Sequence, residues 1–337
     1  MLIMKSKFIS LLVLLFFPFC VIDANIIRVN NAPGKAADFK TLQEAIDNAN
    51  SGDTLYLEGT QFNYGTGGVV VDKKLIIFGP GYFLEENDTT QATPLKAFIK
   101  GALEFNSQSE GSEIYGLYLL KLKINVNNIK VERNFIKNRV DFNDVSQCVF
   151  QKNFVQDYLA LNKSLNMVIK NNIVMRIEGD NDCSAVIYNN TVENEISVYN
   201  SDIKNNIIYR SCVGCGQGVD KNTGNVIKYN LVCRDDKPED PTNKMVDKDA
   251  LFVDGFIRLN FGESNEIYST DGKFRLAVDS PALESGEAGT DCGAFGGENP
   301  YVLSGLPAVP RIYDVNIPSS ASTESGLPVT IKVKTNK

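Results

Sequence analysis

A chain with no histidine and no tryptophan has a short list of chemistries open to it. Imidazole-dependent hydrolysis and His-ligated zinc are both excluded, which leaves carboxylates, lysines, arginines and thiols. Glycoside hydrolysis needs two carboxyl groups about 5 Å apart for retention, or about 6.5 to 9.5 Å for inversion. Glu132, Glu193 and Glu195 each fall without a partner at the matching phase of the repeat described below, so no catalytic pair can be assigned. Basic residues do recur in phase. Arg176, Arg210 and Arg234 share one position with Asn138, Asp157 and Asn194, and Lys170, Lys204 and Lys228 share another. Guanidinium groups stacked in file grip carboxylates through paired hydrogen bonds, so these six are candidates for holding an acidic glycan. A plainer use of the same residues is solubilising charge, paired with Asp157, Glu178 or Asp202.

The spacing of Cys212 and Cys215 suits a metal, but neither a second close pair nor a histidine completes a site, and a loop disulfide or free thiols are the expectation. The acidic run 234–249 could suit calcium only, and it lacks the spacing of known calcium loops. No cofactor is therefore expected. This run and the insertion 209–224 are the longest departures from the repeat, which makes them the first place to seek a binding surface.

These residues owe their phase to a recurring phrase: VERNFI at 131–136, FQKNFV at 150–155, IKNNIV at 169–174, IYNNTV at 187–192, IKNNII at 203–208 and IKYNLV at 227–232. Its asparagines are Asn134, Asn153, Asn172, Asn190, Asn206 and Asn230. The column three before them holds Val131, Phe150, Ile169, Ile187, Ile203 and Ile227. The column two after holds Ile136, Val155, Val174, Val192, Ile208 and Val232. A third apolar pair follows, as in Val140/Phe142 and Leu159/Leu161. Three short β-patterned segments in about 19 residues are too brief for helical repeats and rich in β-branched side chains. The fold predicted is all-β, a parallel β-helix of about ten coils between Leu55 and about Phe261. Like residues stack about 4.8 Å apart, and the asparagines form a structural ladder at a corner where left-handed backbone is tolerated.

Such a column needs its ends covered. Phe39, Leu42, Ala45, Ile46 and Ala49 follow helical spacing and predict an N-terminal capping helix. Residues 298–337, punctuated by Pro300, Pro307, Pro310, Pro318 and Pro328, read as a hairpin over the last coil or as a tether to the cell surface. At the start, Lys5 and Lys7 precede the uncharged run 8–22, the pattern of an export signal cut near Ala24. The expected organisation is signal 1–24, β-helix 25–297 and tail 298–337, in a secreted or surface-held monomer without a membrane span after processing. A net charge of -7 argues against nucleic acid as a partner, leaving an acidic polysaccharide or a cell-surface component.

The opening ADFKTLQEAIDNANSGDTLYLEGTQF and the following LIIFGPGYFL resemble the start of right-handed β-helix proteins of the pectin-lyase-like superfamily. The stretch from DALFVD through FRLAVDSPALESG to DCGAFGG is similar to the closing segment of secreted bacterial members. The likeness implies right-handed winding. It specifies chemistry weakly, since the superfamily spans lyases, hydrolases, isomerases and adhesins. A polysaccharide-binding or adhesive protein is the leading expectation, and a polysaccharide lyase acting on an acidic glycan is the alternative.

Overall fold

The computed structural model describes residues 24–210, 224–233, 239–255, 257–259, 267–320 and 326–335. Residues 1–23, nearly all of the segment 1–24 expected to be an export signal, lie outside the described residues, as do Cys212, Cys215, Arg234, Asp235 and Asp236. The chain is an all-β parallel solenoid of about eight turns with very little helix. Among the described residues, one sheet has ten strands and runs in chain order from Ile26–Val29 to Val226–Lys228; a second has eleven.

The apolar columns read from the sequence are columns in space. Val131 pairs with Phe150, Phe150 with Ile169, Ile169 with Ile187, Ile187 with Ile203, and Ile203 with Ile227. The second column is continuous in the same way from Ile136 to Val232. All of these side chains but the half-buried Ile227 are fully removed from water, each contributing about 1.5 to 3 kcal/mol. The second and third segments of a turn form one strand bent at a corner. In Phe154–Asn162, for example, the register breaks between Val155 and Tyr158.

The asparagine corner differs in one respect from expectation. Left-handed backbone belongs to the preceding residue in each phrase, with φ of 59° at Arg133, 56° at Lys152, 53° at Asn171, 54° at Asn189, 57° at Asn205 and 57° at Tyr229. That turn aims the next side chain inward, where Asn134, Asn153, Asn172, Asn190, Asn206 and Asn230 are 0% exposed. From Asn153 onward each Oδ1 accepts the main-chain N–H of the asparagine one coil back, at 2.9 Å for Asn153 to Asn134 and 3.0 Å for Asn190 to Asn172, while Asn134 accepts from the Leu117 N–H at 3.0 Å. Each Nδ2 donates to a carbonyl of that coil, as Asn172 does to Phe150 at 3.0 Å. Asn243 is a seventh rung, accepting from the Asn230 N–H at 3.0 Å.

Among the described residues the last coil strand is Lys244–Met245, short of the ten coils expected; Phe261, where they were expected to end, lies outside the described residues. The described residues from 249 to 297, which the resemblance counts with the solenoid, pack against its outside through Leu251, Phe252, Phe274, Ala282 and Ala294. Residues 286–311 form a strap that descends the asparagine corner coil by coil. The Glu287 N–H donates to Asn205 at 2.8 Å, Asn189 donates to the Asp291 carbonyl at 2.9 Å, Asn171 donates to the Gly296 carbonyl at 2.9 Å, and Arg133 donates to the Leu306 carbonyl at 2.8 Å. Under this outer layer lies a second core, in which Phe135, Phe154, Ile173, Ile207 and Leu231 meet Phe252, Phe274, Ala294 and Tyr301.

The helix Leu42–Asn48 is capped by Thr41, whose hydroxyl accepts from the Glu44 N–H at 3.2 Å, and it buries Leu42, Ala45 and Ile46 in the main core. Strand Ile26–Val29 precedes it and pairs with Thr54–Leu57. The tail forms the antiparallel hairpin Arg311–Asn316 with Thr330–Lys334. It sits at the first coils rather than the last, where the Arg311 side chain donates to the Thr90 carbonyl at 2.6 Å and the Ala92 N–H donates to the Ile312 carbonyl at 2.9 Å. The strap carries it there.

Candidate functional site

Side chains alternate across a strand, so the residue beside each inward column in the first sheet must face outward. The register stacks Arg28, Tyr56, Phe78, Tyr115, Glu132, Gln151, Lys170, Tyr188, Lys204 and Lys228 in one file. The strap runs beside this file and makes a second wall. Three concavities lie between them in order, of about 820, 380 and 310 Å³. The first is bordered by Arg28 and Tyr56, the second by Phe78, Tyr115, Glu132 and Gln151, the third by Lys170, Tyr188 and Lys204. Eight steps of about 4.8 Å make a trench of about 40 Å.

Its character changes along its length. Phe78 and Tyr115 stack with ring centroids 4.9 Å apart, and Lys130 lies over Tyr115. In the middle, the nearly buried Glu132 carboxylate is 3.1 Å from Lys130, 3.2 Å from Arg133 and 3.6 Å from Lys152, and it accepts from Gln151 at 2.7 Å. Burial works to raise the Glu132 carboxyl, but the Gln151 hydrogen bond and the Lys130 and Arg133 charges outweigh it and hold it below the ordinary range. Burial lowers Lys152, with Arg133 adding to the effect. The Tyr115 hydroxyl is pushed up to about 12 by burial and by its bond to Glu113. Farther along, Lys170 lies over the Tyr188 ring, and Lys204 holds Glu287 of the strap at 2.8 Å.

The six basic candidates are split between two faces. Lys170 and Lys204 border the trench, and Lys228 follows them in the same file just past its third concavity. Arg176 lies on the second sheet, in strand Ile173–Gly179, and Arg210 two residues past its strand Ile207–Ile208: Arg176 is 2.6 Å from Glu178 and 3.6 Å from Glu195, and Arg210 is 2.7 Å from the buried Glu193. Arg234 lies outside the described residues. Sequence reasoning found only the Lys170, Lys204 and Lys228 part of the outward file, because elsewhere along it the residue types change from coil to coil. It also passed over the residue after the ladder asparagines, which is Phe135, Phe154, Ile173, Ile207 or Leu231 in five of the six phrases and Thr191 in the other. That apolar, outward column was a legible sign of an outer covering.

Among the described residues no group of three or more acidic, thiol or imidazole side chains could hold a metal ion. Cys148, Cys183, Cys233 and Cys292 are free thiols. Burial raises all four, Cys148 to about 11 and Cys233 and Cys292 to about 12, which keeps them protonated and unreactive. Among the described residues no helix is long and apolar enough to cross a membrane. No family model matches the chain, and no curated protein matches it in sequence.

Proposed function

We propose that this protein is an exported, right-handed β-helix that binds an extended acidic polysaccharide in the trench between the first sheet and the strap. The observation that carries the reading is the outward file, nine of whose ten residues border three concavities in chain order. A groove running along a solenoid axis suits a linear polymer, because successive coils repeat the same backbone frame every about 4.8 Å. Aromatic rings at Tyr56, Phe78, Tyr115 and Tyr188 offer apolar faces for sugar rings, while Lys170, Lys204 and Lys228 supply charge for carboxylates. Export is supported by the charged start and apolar run of residues 1–24, and right-handedness by the likeness of the opening segments to pectin-lyase-like proteins. The arginines that a lyase reading would recruit from the second face are engaged with Glu178, Glu193 and Glu195.

The test is calorimetric titration with pectate, alginate and a neutral glucan. Binding to an acidic chain is expected, with affinity falling as salt rises. The double variant Lys170→Gln, Lys204→Gln should weaken it roughly 10-fold or more, about 1.4 kcal/mol, and Arg176→Gln should leave it unchanged. Loss with Arg176→Gln but not with the lysine pair, or no binding to any acidic chain, would overturn the assignment. Absorbance of an unsaturated product, followed in the same mixtures with and without calcium, reports any lyase activity.

A further inference from the structure

Five successive left-handed corners reach out to the strap, and four of them meet its main chain: Arg133, Asn171, Asn189 and Asn205. The fifth is different. Lys152, 2% exposed, donates from Nζ to the carboxamide oxygen of Asn299, 147 residues away in sequence. The Glu132 carboxylate lies 3.6 Å from the same Nζ, and Phe78, Tyr115 and Ala308 line the surrounding concavity. An amine, a primary amide and a carboxylate able to move protons are thus held together by two independent parts of the fold.

We propose that Lys152 and Asn299 become joined by an intramolecular amide bond that fastens the strap to the solenoid. Glu132 takes a proton from the Lys152 ammonium group, and the free amine attacks Cγ of Asn299. The tetrahedral adduct collapses as its original nitrogen leaves. One C–N bond forms and one breaks, nothing is oxidised or reduced, and no co-reactant is needed. Two of the three ammonium protons depart with the leaving nitrogen as ammonium ion, relayed by Glu132, which ends ionised as it began. Burial lowers Lys152 and so eases release of the first proton. The fixed approach of the two groups replaces the entropic cost of bringing them together, a contribution worth several kcal/mol in well-oriented intramolecular reactions. The proposal is independent of glycan binding.

The experiment is protease digestion of the denatured full chain followed by tandem mass spectrometry. A branched peptide linking Lys152 to Asn299, lighter by one ammonia than its two parts, is expected. Only linear peptides carrying unmodified Lys152 and Asn299 would overturn the proposal. Asn299 is exposed, so Asn299→Ala should fold, lose the branch and migrate more slowly in a denaturing gel because a long loop is opened. Lys152→Arg should also lose the branch. Glu132→Gln should slow its formation at least 10-fold while circular dichroism stays unchanged; equal branching in that variant would remove Glu132 from the mechanism.

Discussion

Asn172 donates to the Phe150 carbonyl, accepts from the Asn153 N–H and donates to Asn190, all in the absence of water. Truncation strands several buried groups at once, each costing about 1 to 3 kcal/mol when left unpaired. Asn172→Ala should therefore lose about 3 kcal/mol or more in urea unfolding. The surface stack formed by Asn106, Asn125, Asn143 and Asn162 provides a contrast, because water replaces its partners: Asn143→Ala should cost about 0.5 kcal/mol or less. A different residue sets a pH dependence. Asp271 is fully buried, facing Tyr301, Asn87, Ser269 and the Ser304 N–H, with Tyr82 beyond and Arg133 near that ring. Burial raises its carboxyl above the ordinary value despite these donors. A raised native value means that the folded state holds the proton more readily than the unfolded chain. The stabilisation from that proton is complete below the unfolded value of about 3.9 and is lost as pH rises through the native one. Unfolding free energies measured across this window should fall with rising pH by an increment that Asp271→Asn abolishes.

Among the elements, the strap was the least legible. The inward columns could be read because each coil repeats one demand, an apolar side chain of β shape at a fixed phase. The strap repeats nothing: it borrows a different hydrogen-bond partner from each corner, so its sequence carries no period. The helix Leu42–Asn48 was readable from its spacing, and the hairpin from the prolines that punctuate its two runs, but the end at which the hairpin sits depends on the strap's path. The left-handed corners were assigned to the ladder asparagines when they belong to the residues before them, an ambiguity built into phrases such as KNN, where both positions carry Asn. Gly305 tests the strap as an element. At φ 54° an added Cβ would lie 2.2 Å from a Tyr82 ring carbon and 2.5 Å from the Arg133 carbonyl. Gly305→Ala should cost about 2 to 4 kcal/mol and speed proteolytic nicking of residues 286–311, while the solenoid keeps its far-ultraviolet circular dichroism.

At the scale of the molecule, two layers are wrapped around each other. The inner one is a stack of coils whose edges repeat; the outer one is a single passage of chain that covers one corner and leaves the adjoining outward file open. Function on this view belongs to the seam. The columns give the seam its straightness, and the changing residues within the file give it direction, from the rings of Tyr56, Phe78 and Tyr115 to the ammonium groups of Lys170, Lys204 and Lys228. The measurement that tests this most directly is the affinity of acidic oligosaccharides of increasing length, taken by titration calorimetry at one salt concentration. The account expects affinity to climb with each added sugar until the oligomer spans the trench, then to level off, with Tyr115→Ala and Lys204→Gln each shortening the climb. An affinity already complete for a mono- or disaccharide and indifferent to length would contradict it.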